Sequence, residues 1–334
     1  MQYREEWEAS KKTKEDYKNS LDELITRLQK DAEKQRDVYI KDVFRDTERY
    51  RAEFREMLGW PLVRHEKPEE PPRARAELIA EEEDYKIVRM TFEILDCVKL
   101  TGLYFEQKKE GGRPLVIVQH GGLGTPELIS GIYGNTTNYN DMAERVLVRG
   151  ADVFAPQLLL WDKKYEVPFE RASVDARLKR LGSSITAIEV YAIERILDFF
   201  QSRPRITSFG MVGLSYGGFY TLFAAAADPR IRAAVSCSYF NSRDAQPWCD
   251  WTWQNAAYRF DDAEIAALVY PRRLWLQMGT NDNLFDYKVS RESFRRLEAM
   301  AKEVGTDWVT YTEFDGVHEF CRDDAPLDEL IRLL

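Results

Sequence analysis

Residues 206–228, ITSFGMVGLSYGGFYTLFAAAAD, constrain the fold more than any other stretch of the chain. Ile206, Phe209, Met211 and Val212 form an apolar run that ends on glycine, as a buried strand does. The alanine-rich run from Tyr216 reads as a helix. Ser215 therefore lies at a strand-to-helix turn, with Gly213 and Gly217 two residues away on either side. A strand, G-x-S-x-G and a helix in succession form the sharp turn that lifts a serine hydroxyl above the end of a sheet. Both glycines are small where helix and strand approach closely, and Gly218 adds room. The five residues alone also fit a chance match in a glycine-rich turn, so other segments must decide.

The texture from Tyr85 onward supplies the sheet. YKIVRMTFEI and VKLTGLYFEQ read as a strand pair, and PLVIVQHGG as a buried strand ending in glycines. A helix is expected over 138–149, a strand over 151–158 and, after a long loop, a helix over 184–202. Strands at IRAAVSCSYF, PRRLWLQMG and WVTYTEF alternate with helices at YKVSRESFRRLEAMAKEV and APLDELIRLL. An opening hairpin followed by alternating strands and helices predicts an α/β domain over 85–334, with a mostly parallel sheet and helices on both faces. An aromatic-rich insertion interrupts it at about 241–270. Residues 1–60 read as a helical extension with one apolar stripe through Leu21, Ile25, Leu28, Ala32, Tyr39, Val43, Tyr50 and Phe54. Gly59 and Pro61 end it, and the proline- and charge-rich stretch 61–84 reads as a linker. The stripe is expected to pack on the main domain or, as a homo-oligomer contact, on a second subunit.

The net charge of −9 argues against general nucleic-acid binding, which needs a basic footprint. Cys97, Cys237, Cys249 and Cys321 have no metal-ligand spacing and read as free thiols; no metal is expected. The charged start MQYREEWEASKK is unlike a signal peptide, and no apolar run is long enough to span a bilayer, so the expectation is a cytoplasmic protein without a membrane partner.

A serine hydroxyl needs a base to become a nucleophile, and histidine is the usual one. The chain has three histidines. His65 falls in the linker, and His120 ends the strand VIVQH ahead of the serine. His318, in FDGVHEF just past WVTYTEF, lies beyond the carboxyl end of a strand, where reactive groups collect in open parallel sheets. The order Ser…acid…His selects it too. The acid is sought past a strand between them. In LWLQMGTNDNLFDY, Asp282 is favoured over Asp286, whose position suits an N-cap, and Asp315 suits turn shaping. The amide of Tyr216 and one from HGGLGT, Gly122 or in second place Leu123, are the expected oxyanion donors. His120 is expected to order that loop.

With HGGLG, GLSYGG, GTNDNLFD and FDGVHEF in this order, residues 85–334 resemble the α/β-hydrolases. Within them, the lead-in REMLGWPL and the pairing of HGG with a late D-G-x-H-E are similar to the dienelactone-hydrolase-like and acetyl xylan esterase-like enzymes. Ser215 stands where dienelactone hydrolases themselves carry cysteine. The resemblance implies a serine carboxylester hydrolase with a Ser215–His318–Asp282 triad, needing no cofactor, acting on a small-molecule or carbohydrate ester. A serine peptidase of the same fold and a non-catalytic binding protein are the alternatives. Trp248, Trp251 and Trp253 in the insertion, with Trp161 opposite, are candidates for a substrate-binding wall; the alternative for the insertion is a packed aromatic subdomain.

Overall fold

The computed structural model describes residues 1–63, 68–158, 170–246 and 248–334. Nine strands form one sheet: β1 (Ala74–Glu81), β2 (Tyr85–Leu95), β3 (Val98–Gln107), β4 (Arg113–Gln119), β5 (Asp152–Pro156), β6 (Ile206–Leu214), β7 (Ile231–Cys237), β8 (Arg273–Gly279) and β9 (Val309–Phe314). The spatial order is β1-β2-β3-β5-β4-β6-β7-β8-β9. The pairs from β1 to β5 are antiparallel, and those from β5 to β9 are parallel.

Parallel strands joined by helical crossovers are buried on both faces and read as continuous apolar runs. In β4, Leu115 and Ile117 enter one core cluster and Val116 and Val118 the other. This is the two-residue alternation of side chains across a sheet. The first face is covered by α2 (Thr47–Leu58), α6 (Ile185–Gln201), α7 (Tyr216–Ala227), α8 (Asp262–Ala267) and α9 (Tyr287–Met300). The second is covered by α3 (Pro126–Ile129), α4 (Met142–Leu147) and α10 (Ala325–Leu333). One more helix, α5 (Arg171–Lys179), lies in what the sequence presents as a long loop.

Two expectations change at the N-terminal side. The stretch taken as linker contains β1, which pairs antiparallel with β2, so the sheet begins at Ala74 rather than near residue 85. This edge strand is exposed along most of its length, and its short alternation, Ala74, Ala76 and Leu78 against Arg75 and Glu77, rests on two alanines and follows a proline- and charge-rich run. The extension is two helices, α1 (Trp7–Tyr39) and α2, separated by a turn over 40–46. Its stripe divides as well. Ala32, Val43, Tyr50 and Phe54 are buried in cis, whereas Leu21, Ile25 and Leu28 are 38%, 50% and 45% exposed. Arg36 donates to Ala257 O at 2.7 Å, Arg51 to Ala226 O and Leu268 O at 2.9 Å each, and Arg55 pairs with the buried Glu194. The docked half is thus fastened to the insertion and to α6 and α7.

Candidate active site

Ser215 occupies the junction of β6 and α7 with φ +60° and ψ −123°, a backbone state that non-glycine residues adopt only when their surroundings enforce it. Its N–H donates to Cys237 O at 2.9 Å, fixing the turn to β7. A Cβ added to Gly213 would lie 2.2 Å from Gly217 O, and one on Gly217 would lie 2.0 Å from Gln119 O. The G-x-S-x-G glycines are therefore required by backbone approaching backbone.

His318 follows β9. Its Nδ1 lies 2.8 Å from Asp282 Oδ2, and the Asp282 side chain is fully buried. Asp282 Oδ1 accepts from the N–H groups of Leu284 (2.8 Å) and Phe285 (3.1 Å), so the carboxylate is held on both oxygens. Asp286 accepts from Lys288 N at 2.9 Å and caps α9. Asp315 accepts from Asn281 Nδ2 at 2.9 Å and ties the two turns together. Ser238, which follows β7, donates from Oγ to Glu319 O at 3.1 Å, so the serine and histidine loops flank the same strand end. Among the described residues no hydrogen bond joins Ser215 to His318. Such contacts are often long before substrate binds.

The loop after β4 lies against the elbow: a Cβ on Gly121 would be 3.2 Å from Ser215 Cβ. Gly121 N–H is engaged, donating to Tyr139 OH at 2.9 Å, whereas Gly122 and Leu123 N–H make no hydrogen bond among the described residues. His120 is fully buried, with Nδ1 2.9 Å from Gly121 O. Burial lowers its pKa to about 4 against the smaller opposing effect of that hydrogen bond, so the ring is neutral and anchors the loop.

The tryptophans separate by position. Trp251 is fully buried among Tyr216, Phe219, Tyr239, Trp248 and Phe285, and Trp253 is buried against Phe223. These two rings are packing residues, which replaces their reading as an open wall. Trp248 is only half-buried and stacks on Tyr216 at 5.8 Å. Phe285 stacks on His318 at 5.7 Å. The insertion thus packs directly on the residue after Ser215 and reaches the imidazole through Phe285. Trp161 lies outside the described residues.

One buried cluster was not legible in the sequence. Arg171 Nε lies 2.7 Å from Asp250 Oδ2, and its Nη2 lies 2.8 Å from Glu189 Oε2. Tyr216 OH donates to Asp250 at 2.9 Å, and Tyr220 OH to Glu189. Two carboxylates facing one guanidinium hold that guanidinium protonated, while burial raises both phenols and keeps them as donors. Its members are spread from residue 171 to 250, and no local pattern joins them.

Known structures of similar shape clarify the frame. A Bacteroides fragilis protein assigned to the acetyl xylan esterases aligns with TM-score 0.65 at 15% identity, over 89% of this chain and 84% of its own. The fold is that of the α/β-hydrolases. A glucuronoyl esterase from Solibacter usitatus shares this α/β-hydrolase frame at TM-score 0.59 and 15% identity, over 87% of this chain and 91% of its own. Acetyl xylan esterase 1 from Thermoanaerobacterium gives 0.55 and 15%, over 86% and 93%. No family model and no curated protein matches the sequence itself. Ser215, at the strand-to-helix turn after β6, and His318, in the loop after β9, both lie beyond the carboxyl ends of parallel strands of this sheet.

Proposed function

We propose that this chain is a serine carboxylester hydrolase that works through an acyl-enzyme on an esterified carbohydrate. The observation that carries the reading is the 2.8 Å contact of the buried Asp282 carboxylate with His318 Nδ1, at the same carboxyl edge of the parallel strands as Ser215 with its positive φ. In this reading Ser215 Oγ attacks the ester carbonyl while His318 Nε2 takes its proton. Asp282 fixes the ring with its proton on Nδ1 and stabilises the imidazolium. The oxyanion is received by the N–H groups of Tyr216 and Gly122, with Leu123 as the alternative to Gly122. His318 then protonates the leaving alcohol, and water activated by the same ring releases the acid.

The carbohydrate part rests on two supports. The three aligned structures are named for esterases, two of acetyl xylan and one of glucuronoyl esters. A cavity of about 420 Å³ also opens at the turn after β8, lined by Asp282, Asn241, Gln246, Asn283, Asp286 and Lys288 and not by Ser215 or His318. Such a polar hollow suits a hydroxyl-rich alcohol. Among the described residues no helix is long and apolar enough to cross a membrane.

The test is a screen of the purified chain against aryl acetates, acetylated xylo-oligosaccharides, methyl glucuronate esters and aminoacyl amides, beside labelling by a serine-reactive phosphonate. Ester turnover, phosphonate attached to Ser215 and loss of both in Ser215→Ala are expected. Amide turnover exceeding ester turnover would instead make the chain a peptidase. Absence of labelling and turnover would make it a binding protein.

A further inference from the structure

Residues 136–141 combine features that no sequence pattern separates from an ordinary turn. Thr137, Asn140 and Asp141 all have positive φ, at +47°, +48° and +56°. For a β-branched threonine that state is a genuine outlier. The loop is braced from within: Thr136 Oγ1 donates to Asp141 Oδ1 at 2.5 Å, Asp141 N donates to Thr136 Oγ1 at 3.0 Å, and Tyr139 N to Thr136 O at 2.9 Å. Strained backbone persists where the surroundings over-determine it, and it clusters at functional sites.

This loop touches both halves of the candidate site. Toward His318, Asn138 Nδ2 donates to His318 O at 2.9 Å, and Phe320 N donates to Asn138 O at 2.8 Å. The buried Asn140 donates from Nδ2 to Glu319 Oε2 and to Phe320 O, each at 2.7 Å. Toward the loop after β4, the buried Tyr139 accepts the Gly121 N–H at 2.9 Å. A Cβ on Gly124 would lie 2.1 Å from Tyr139 OH and one on Gly121 would lie 3.2 Å from it. The glycine at position 124 is therefore required by the tyrosine beside it, and Gly121 sits tightly against that phenol, Leu214 O and Ser215 Cβ. By occupying Gly121 N–H, the phenol also leaves Gly122 and Leu123 as the donors available to substrate.

We infer that Tyr139 and Asn140 are positioning residues that set the histidine loop and the oxyanion loop in register with each other. The inference rests on the reading of Ser215 and His318 as nucleophile and base. Neither side chain needs to touch the ester. Their action is geometric, and misplacement on the order of 1 Å at a catalytic group can lower turnover about 100-fold.

Two conservative variants separate positioning from folding. Tyr139→Phe keeps the ring and removes the acceptor for Gly121. Asn140→Gly keeps the left-handed backbone and removes the amide. The measurements are kcat and KM on an aryl acetate per phosphonate-titrated site, the phosphonate inactivation rate, and melting, all well below the melting temperature. Each variant is expected to lower kcat and the inactivation rate about 10- to 100-fold with KM within about twofold. The double variant should lose less than the product of the single losses, because the residues act as one unit. A kcat within twofold of the parent in both variants, or losses that multiply in full, would overturn the inference whatever happens to melting. A parent chain that phosphonate does not label would instead overturn the triad reading beneath it.

Discussion

Asp282→Asn tests the geometry of the site most sharply, because the surroundings dictate how the new amide must sit. Asp282 Oδ1 accepts two backbone N–H groups, from Leu284 and Phe285, and Oδ2 meets His318 Nδ1. An asparagine placed with its NH2 toward Leu284 and Phe285 would set donor against two donors in a fully buried position. The amide oxygen therefore stays with the backbone and the NH2 turns to His318. The ring must then accept at Nδ1 and carry its proton on Nε2, the tautomer that cannot take a proton from Ser215. The same tautomer fault lowers turnover about 10⁴-fold in serine proteases, equivalent to about 5.5 kcal/mol of barrier. We expect a loss of that order in kcat on an aryl acetate, with melting changed little. Asp286→Asn is the control: an amide oxygen still caps Lys288 N, and kcat should stay within about twofold. Asp282→Asn within tenfold of the parent, or Asp286→Asn as the more damaging change, would refute the reasoning.

Trp251→Ala should destabilise the fold by about 3–5 kcal/mol, seen as a lower melting temperature, since the ring is fully buried. Trp248→Ala should lower melting less than Trp251→Ala and raise KM for a carbohydrate ester more than for an aryl acetate, because Trp248 is only half-buried beside Tyr216. We propose that the exposed stripe of Leu21, Leu24, Ile25 and Leu28 self-associates. Deleting residues 1–30 should then reduce the mass seen by light scattering while aryl-ester turnover survives. An unchanged mass would exclude that role. Deleting 1–58 should instead destabilise the domain by removing Tyr50, Phe54 and the Arg55 partner of Glu194. His120 is neutral when folded, with a pKa depressed to about 4, and protonates near 6.5 when unfolded. The unfolded state binds the extra proton, so this group makes stability fall as pH drops from about 6.5 toward 4, at up to ~1.4 kcal/mol per unit. Denaturant titrations of His120→Asn across that window should show a shallower acid dependence than the parent.

The parallel strands were legible because burial on both faces leaves apolar runs such as PLVIVQ and MVGL, and the elbow because its glycines answer a local steric demand. Histidine's rarity in this chain made His318 findable. Other parts lacked a local signal. Helix α5 turns Arg171 and Asp175 inward, so RASVDARLK shows no apolar periodicity. The helix expected over 138–149 shortens to Met142–Leu147 because Asn140 and Asp141 are left-handed. Asn138 and Asn140 reach the histidine loop through amide and backbone groups whose partners lie about 180 residues away, a relation that composition and spacing do not encode.

The docking of α1 and α2 has a consequence for how the chain is made. Their partners, Glu194, Ala226, Ala257, Glu264 and Leu268, all come much later in the sequence. At bacterial or eukaryotic elongation rates, roughly 10–40 s separate synthesis of α2 from synthesis of Leu268. Through that interval the rings that cover Phe54, those of Phe223 and then Phe260, are still being added. The dense Lys, Arg, Asp and Glu around the stripe suit a segment that has to stay hydrated until those partners have been made.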